Sequence, residues 1–104
     1  MIVPAAIVQQ AQIESQVRAA ETALRHDVVR INYQTAEDWS GQWAVFFRVL
    51  LSDDASLPTN LREIAPRVVR RISDRLDLPG LGLFPYFNFR SEAEQALVPE
   101  PSWN

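Results

Sequence analysis

The nine residues Trp43–Leu51, WAVFFRVLL, are apolar on both faces of an extended chain except at Arg48. Polar segments, "TAEDWSG" before and "SDDASLPTN" after, bound this β-branched and aromatic run and mark it as a strand. At roughly 3.3 Å per residue it spans about 30 Å. If helices cover one of its faces, the other presents Phe46, Arg48 and Leu50. The rest of the chain decides what lies on each side.

Upstream, Ile13, Val17, Ala20 and Leu24 are spaced by four, three and four, which makes one apolar stripe on a helix from Pro4 to about Arg25. Pro4 suits the first turn, where a missing N–H costs nothing. From Asp27 to Gln34, DVVRINYQ, the period changes to two. Val29, Ile31 and Tyr33 take one face and Arg30, Asn32 and Gln34 the other, which predicts a half-buried strand paired antiparallel to Trp43–Leu51 through a long loop. Downstream, "SDDASLPTN" reads as loop. Leu61, Ile64, Ala65, Val68, Ile72 and Leu76 then follow in helical register, with Asn60 and Glu63 placed as a capping box. Pro66 either kinks this helix or begins its main part, and "DLPG" ends it. The segment LGLFPYFNFRS predicts a third strand with Phe87 and Phe89 on one face and Tyr86, Asn88 and Arg90 on the other; the side of Phe84 stays open. Pro85 confines that strand to an edge or a bulge. Ser91 and Glu94 form a second capping box and open a short helix that stops before Pro99.

The order α-β-β-α-β-α predicts an α+β two-layer sandwich, a small three-stranded mixed sheet with helices packed on one face. A right-handed strand–helix–strand crossover places the third strand parallel to the second. With 104 residues, 47% of them hydrophobic, the chain suits a single domain, 1–104, in which 98–104 is a loosely held tail whose Trp103 is able to dock. The absence of cysteine excludes disulfides and thiolate metal sites and fits a cytoplasmic location. The N-terminal sixteen residues resemble neither a secretory signal nor a membrane span, so no membrane partner is expected.

A net charge of −3 gives no general attraction to phosphate, so a nucleic-acid role requires a local basic patch. All ten basic residues are arginine, which would suit planar pairing and stacking, although genomic base composition is the plainer explanation of the bias. Two surfaces emerge. The outer sheet face gathers Arg30, Phe46, Arg48, Tyr86 and Arg90, a set suited to a protein partner or to a homodimer. The same set could stack on bases and hold phosphates. The second surface is one end of the sheet, where the hairpin returns Asp53 and Asp54 beside His26 and Asp27, with Glu92 near. Hard oxygen ligands there would suit magnesium or manganese, but aspartates are also ordinary turn formers and no spacing motif links these four. Arg67, Arg71 and Arg75 form a row on the second helix that reads as a solvated face. Trp39 sits in the hairpin loop, where exposure would mark a contact site, whereas Trp43 falls on the core register.

Phosphate-binding glycine loops, nucleophile elbows and paired-histidine motifs are absent. The expectation is therefore a small non-enzymatic binding module without a cofactor, acting through its sheet face on itself or on a protein. The alternative is a nucleic-acid-binding protein or a metal-dependent nuclease, for example a small toxin-type component.

Overall fold

The structure, a computed structural model, describes residues 10–104. Its elements are α1 (Gln10–Ala23), β1 (Val28–Glu37), β2 (Trp43–Leu51), α2 (Pro58–Ser73), β3 (Phe84–Ser91), α3 (Glu92–Leu97) and a 3-10 turn, Pro101–Trp103. The fold is α+β with a small open sheet in the order β1-β2-β3. β1 pairs antiparallel with β2, and β3 pairs parallel with it, as the crossover argument requires.

The helical and strand periodicities meet in one core. Ile13, Val17 and Ala20 of α1 and Ile64, Val68 and Ile72 of α2 pack on Ile31, Val45, Phe47, Val49 and Leu51. Phe87 and Phe89 join from β3, with Phe87 stacked on Phe47 at 4.8 Å. Each fully buried aliphatic or aromatic side chain contributes about 1.5–3 kcal/mol, so this layer outweighs any single polar contact on the molecule.

Backbone pairing explains which edge is which. Asp38 N–H donates to Gln42 O at 2.8 Å, and Asn32, Gln34 and Ala36 stand opposite Arg48, Phe46 and Ala44. The even-numbered residues of β1 therefore bond to β2, and the odd-numbered ones turn their N–H and C=O outward. At Ile31 these outward groups are occupied by α1: Glu21 accepts from the N–H at 2.7 Å and Arg18 Nη1 donates to the carbonyl at 3.2 Å.

Several boundaries depart from expectation. β1 continues through Thr35, Ala36 and Glu37, shortening the connection to Asp38–Gln42, because these residues still pair with β2. A register shift between Val28 and Arg30 turns Val28 inward and leaves Val29 45% exposed, so the simple alternation fails at the bulge. α2 starts at Pro58 rather than at a box on Asn60; Leu57 is its cap, and Asn60 Nδ2 instead donates back to Asp54 O at 2.8 Å. The helix runs on through Pro66, which lies on its exposed side. The predicted Ser91–Glu94 capping box is present. The expected helix start at Pro4 falls outside the described residues.

The outer face of the sheet is not uniformly open. The tail folds across the Leu50 end, and Trp103 is only 8% exposed. Asn32 Nδ2 donates to the carbonyls of Ser102 and Asn104 at 3.2 and 2.7 Å, fixing the turn to β1.

Candidate functional site on the sheet face

By strand alternation the outer face carries Arg30, Asn32, Gln34 and Ala36 from β1. β2 adds Ala44, Phe46, Arg48 and Leu50, and β3 adds Phe84, Tyr86, Asn88 and Arg90. The structure divides this face into an aromatic end, a polar middle and an end covered by the tail.

At the aromatic end Tyr86 is the centre. It stacks on Phe46 at 5.1 Å with an interplanar angle of 11°, and Phe84 and Trp39 tilt against it at 5.1 and 5.5 Å. Trp39 is 84% exposed and Phe84 48% exposed. Phe84, unassigned from sequence, therefore belongs to this outer cluster. The hairpin loop positions Trp39 through Asp38. Its Oδ1 accepts from Ser40 Oγ at 2.6 Å, Ser40 N–H at 2.9 Å and Gln42 N–H at 3.1 Å, while Oδ2 accepts from Tyr86 Oη at 2.9 Å. Gly41 closes the turn at φ 82°, a conformation that side-chain-bearing residues rarely adopt. Foremost the Ser40 hydroxyl, with the Tyr86 hydroxyl adding, holds the Asp38 carboxyl below its ordinary range. Burial, then the bond to Asp38, pushes the Tyr86 hydroxyl up.

The polar middle holds Arg48 between Asn32 and Asn88. Beside it, a cleft of about 370 Å³ is lined by Arg18, Asn32, Tyr33, Gln34, Arg48 and Ser102.

Arg90 is committed within the chain. Its guanidinium donates to Gln95 Oε1 at 2.6 Å, to Val98 O at 2.6 Å and to Glu94 O at 3.2 Å, and lies 6.0 Å from the Trp103 ring centre. Of the five face residues singled out from sequence, Arg30, Phe46, Arg48 and Tyr86 keep an outward role, whereas Arg90 builds the tail. Sequence reasoning missed Asp38 as the anchor, although D-x-S-G is the signature of a side-chain-braced turn.

The other expected end of the sheet is also assembled, with Ser52 N–H donating to Asp27 O at 2.9 Å and Leu51 opposite Ser91. Among the described residues, however, no group of three or more histidine, aspartate or glutamate side chains is placed to hold an ion. His26, Asp27, Asp53 and Asp54 thus do not form a ligand set. Asp53 Oδ1 accepts from Ala93 N–H at 2.8 Å and serves the start of α3.

On α2, Arg67 and Arg70 are exposed and Arg71 is half-buried, whereas Arg75 lies exposed in the turn after the helix, so the expected row ends at Arg71. Arg71 Nη1 has no hydrogen-bond acceptor among the described residues. No described helix is long and apolar enough to cross a membrane. Comparisons with protein-family models, with curated proteins and with solved structures return no significant match.

Proposed function

We propose that this chain is a non-enzymatic binding module that engages a protein partner through the aromatic end of its sheet face. The observation that carries the reading is Trp39, almost fully exposed yet held over Tyr86 by a loop that Asp38 braces. Exposed aromatic side chains that are already ordered lose little entropy on binding, and tryptophan and tyrosine flanked by arginine dominate the energetics of protein interfaces. Trp39, Phe46, Phe84 and Tyr86 are the anchors, and Arg30 and Arg48 the polar rim. The nucleic-acid alternative is weaker on this face, because the engagement of Arg90 leaves two arginines to offset phosphates against a net charge of −3.

Photocrosslinking from an unnatural residue at position 39 tests the reading. The expected result is a discrete protein adduct, reproduced with the purified partner, whose affinity falls about tenfold or more in Tyr86→Ala or Arg48→Glu. Adduct yields no higher than from exposed Arg62, or steeply salt-dependent nucleic-acid binding that uses the same rings, would overturn it.

A further inference from the structure

We propose that the free edge of β1 is a self-association surface, on which two copies pair Tyr33–Glu37 antiparallel about a twofold axis at Thr35 to form one continuous six-stranded sheet. The inference rests on backbone geometry and is independent of the aromatic reading.

Tyr33, Thr35 and Glu37 share the outward direction of Ile31, and among the described residues their N–H and C=O groups have no hydrogen-bond partner. Ile31 is blocked by Arg18 and Glu21, and beyond Glu37 the chain turns, so the open stretch is these three residues. A self-paired antiparallel strand must be centred on a point of the sequence. Only the register centred on Thr35 uses all three, giving the hydrogen-bonded pairs Tyr33 with Glu37, Thr35 with Thr35 and Glu37 with Tyr33 of the second copy. Registers centred one residue away forfeit a pair to the blocked Ile31 or to the turn.

The side chains agree with that register. Glu37 falls opposite Tyr33 rather than opposite its own counterpart, which avoids a like-charge pair. Thr35 Oγ1 is buried within the chain, so Thr35 would meet its counterpart through its backbone N–H and C=O. The second copy's Asp38 arrives opposite Asn32, one strand from Arg48, which has no ion-pair partner among the described residues. Between Ile31 and the turn the edge carries a single charged guard, Glu37. From Tyr33 to Glu37 there is no proline, lysine, arginine or bulge, whereas the other edge, β3, carries Pro85. A twofold axis perpendicular to the sheet leaves both aromatic ends on one face, so the dimer would present two copies of the proposed contact site.

Light-scattering chromatography across a concentration series reads the association. The expected mass is about twice the 11.8 kDa chain, and Thr35→Pro, which removes the central N–H, weakens the dimer roughly 100-fold with unchanged circular dichroism. Because the chain has no cysteine, Thr35→Cys supplies a second arm that does not depend on the proline variant folding. Directly opposed pairs lie at about 5.5 Å between Cα atoms, within disulfide range, so mild oxidation should link this variant much faster than Asn88→Cys on the outer face. A wild type that stays monomeric at millimolar concentration overturns the proposal. So does a dimer dissociated by Trp39→Ala but not by Thr35→Pro, or equal linking rates at positions 35 and 88.

Discussion

Tyr86 Oη donates to Asp38 Oδ2 at 2.9 Å, tying the middle of β3 to a hairpin loop 48 residues earlier in the chain. The bond is what turns a mobile-looking turn into a fixed platform for Trp39. Tyr86→Phe keeps the ring stack on Phe46 and removes only this tie, so global stability should change little. Quenching of Trp39 fluorescence by a soluble quencher should nevertheless increase. Unchanged quenching would show that Ser40 and Gln42 brace the loop without Tyr86.

The same carboxylate sets an acid limit on the loop. The Asp38 carboxyl is depressed in the folded chain, chiefly by the Ser40 hydroxyl. The order it confers is therefore present above the ordinary aspartate range and is lost as pH falls through its lowered value. Trp39 quenching should rise along an acid titration at lower pH in the wild type than in Tyr86→Phe, where one of the depressing bonds is gone.

α3 is only six residues long and depends on its start. Ser91 Oγ accepts from Glu94 N–H at 3.0 Å, Ser91 N–H donates back to Glu94, and Asp53 supplies an acceptor to Ala93 from across the sheet end. Ser91→Ala should cost about 0.5–2 kcal/mol. Asp53→Ala should cost about 1–2 kcal/mol without affecting any metal response, since Asp53 here acts as a helix cap. Chemical denaturation of both variants, with and without magnesium, separates this role from the ligand role suggested by the sequence.

Local patterns carried most of this fold in the sequence. Ile13, Val17 and Ala20 could be read as a buried stripe because a helix has one core face, and Phe87 and Phe89 because a strand has two. What escaped was set by contacts between distant residues. Val29 looked internal until the bulge reversed it, and Arg90 looked free until the tail claimed it. Thr35 to Glu37 looked like loop because their composition is polar. Their pairing with β2 overrides that preference, and the outer side, unpaired among the described residues, is an edge that no periodicity reports.

Trp103 covers the Leu50 end of the face, and Arg90 and Asn32 hold its flanks. Trp103→Ala removes burial worth about 1.5–3 kcal/mol, but that energy is confined to the tail. The main thermal transition should therefore fall only modestly while proteolysis within 98–104 accelerates sharply. Arg90→Ala should accelerate the same cleavage by freeing Val98 and Gln95. A large, equal loss of stability in both variants would mean that the tail unfolds only with the core.

Tyr33 gives the clearest titration. Burial first, and then its 2.9 Å bond to Glu14, pushes its hydroxyl up to about 12 from an ordinary 10. A group whose value is raised by folding contributes stability in full below its unfolded value. That contribution should decline from pH 10 and be gone once the folded value is passed. Glu14 runs the other way: hydrogen bonds from Arg18 and Tyr33 depress it, so its contribution is present above the ordinary 4.5 and disappears in acid. Tyr33→Phe should cost about 1 kcal/mol near neutrality, and the gap to wild type should close as pH rises through 12. Tyrosinate absorbance reads the same event directly, with the last step of the wild-type curve missing in Tyr33→Phe and retained in Tyr86→Phe. A wild type whose two tyrosines titrate together at 10 would show that the Tyr33 hydroxyl is solvated and not held by Glu14 of α1.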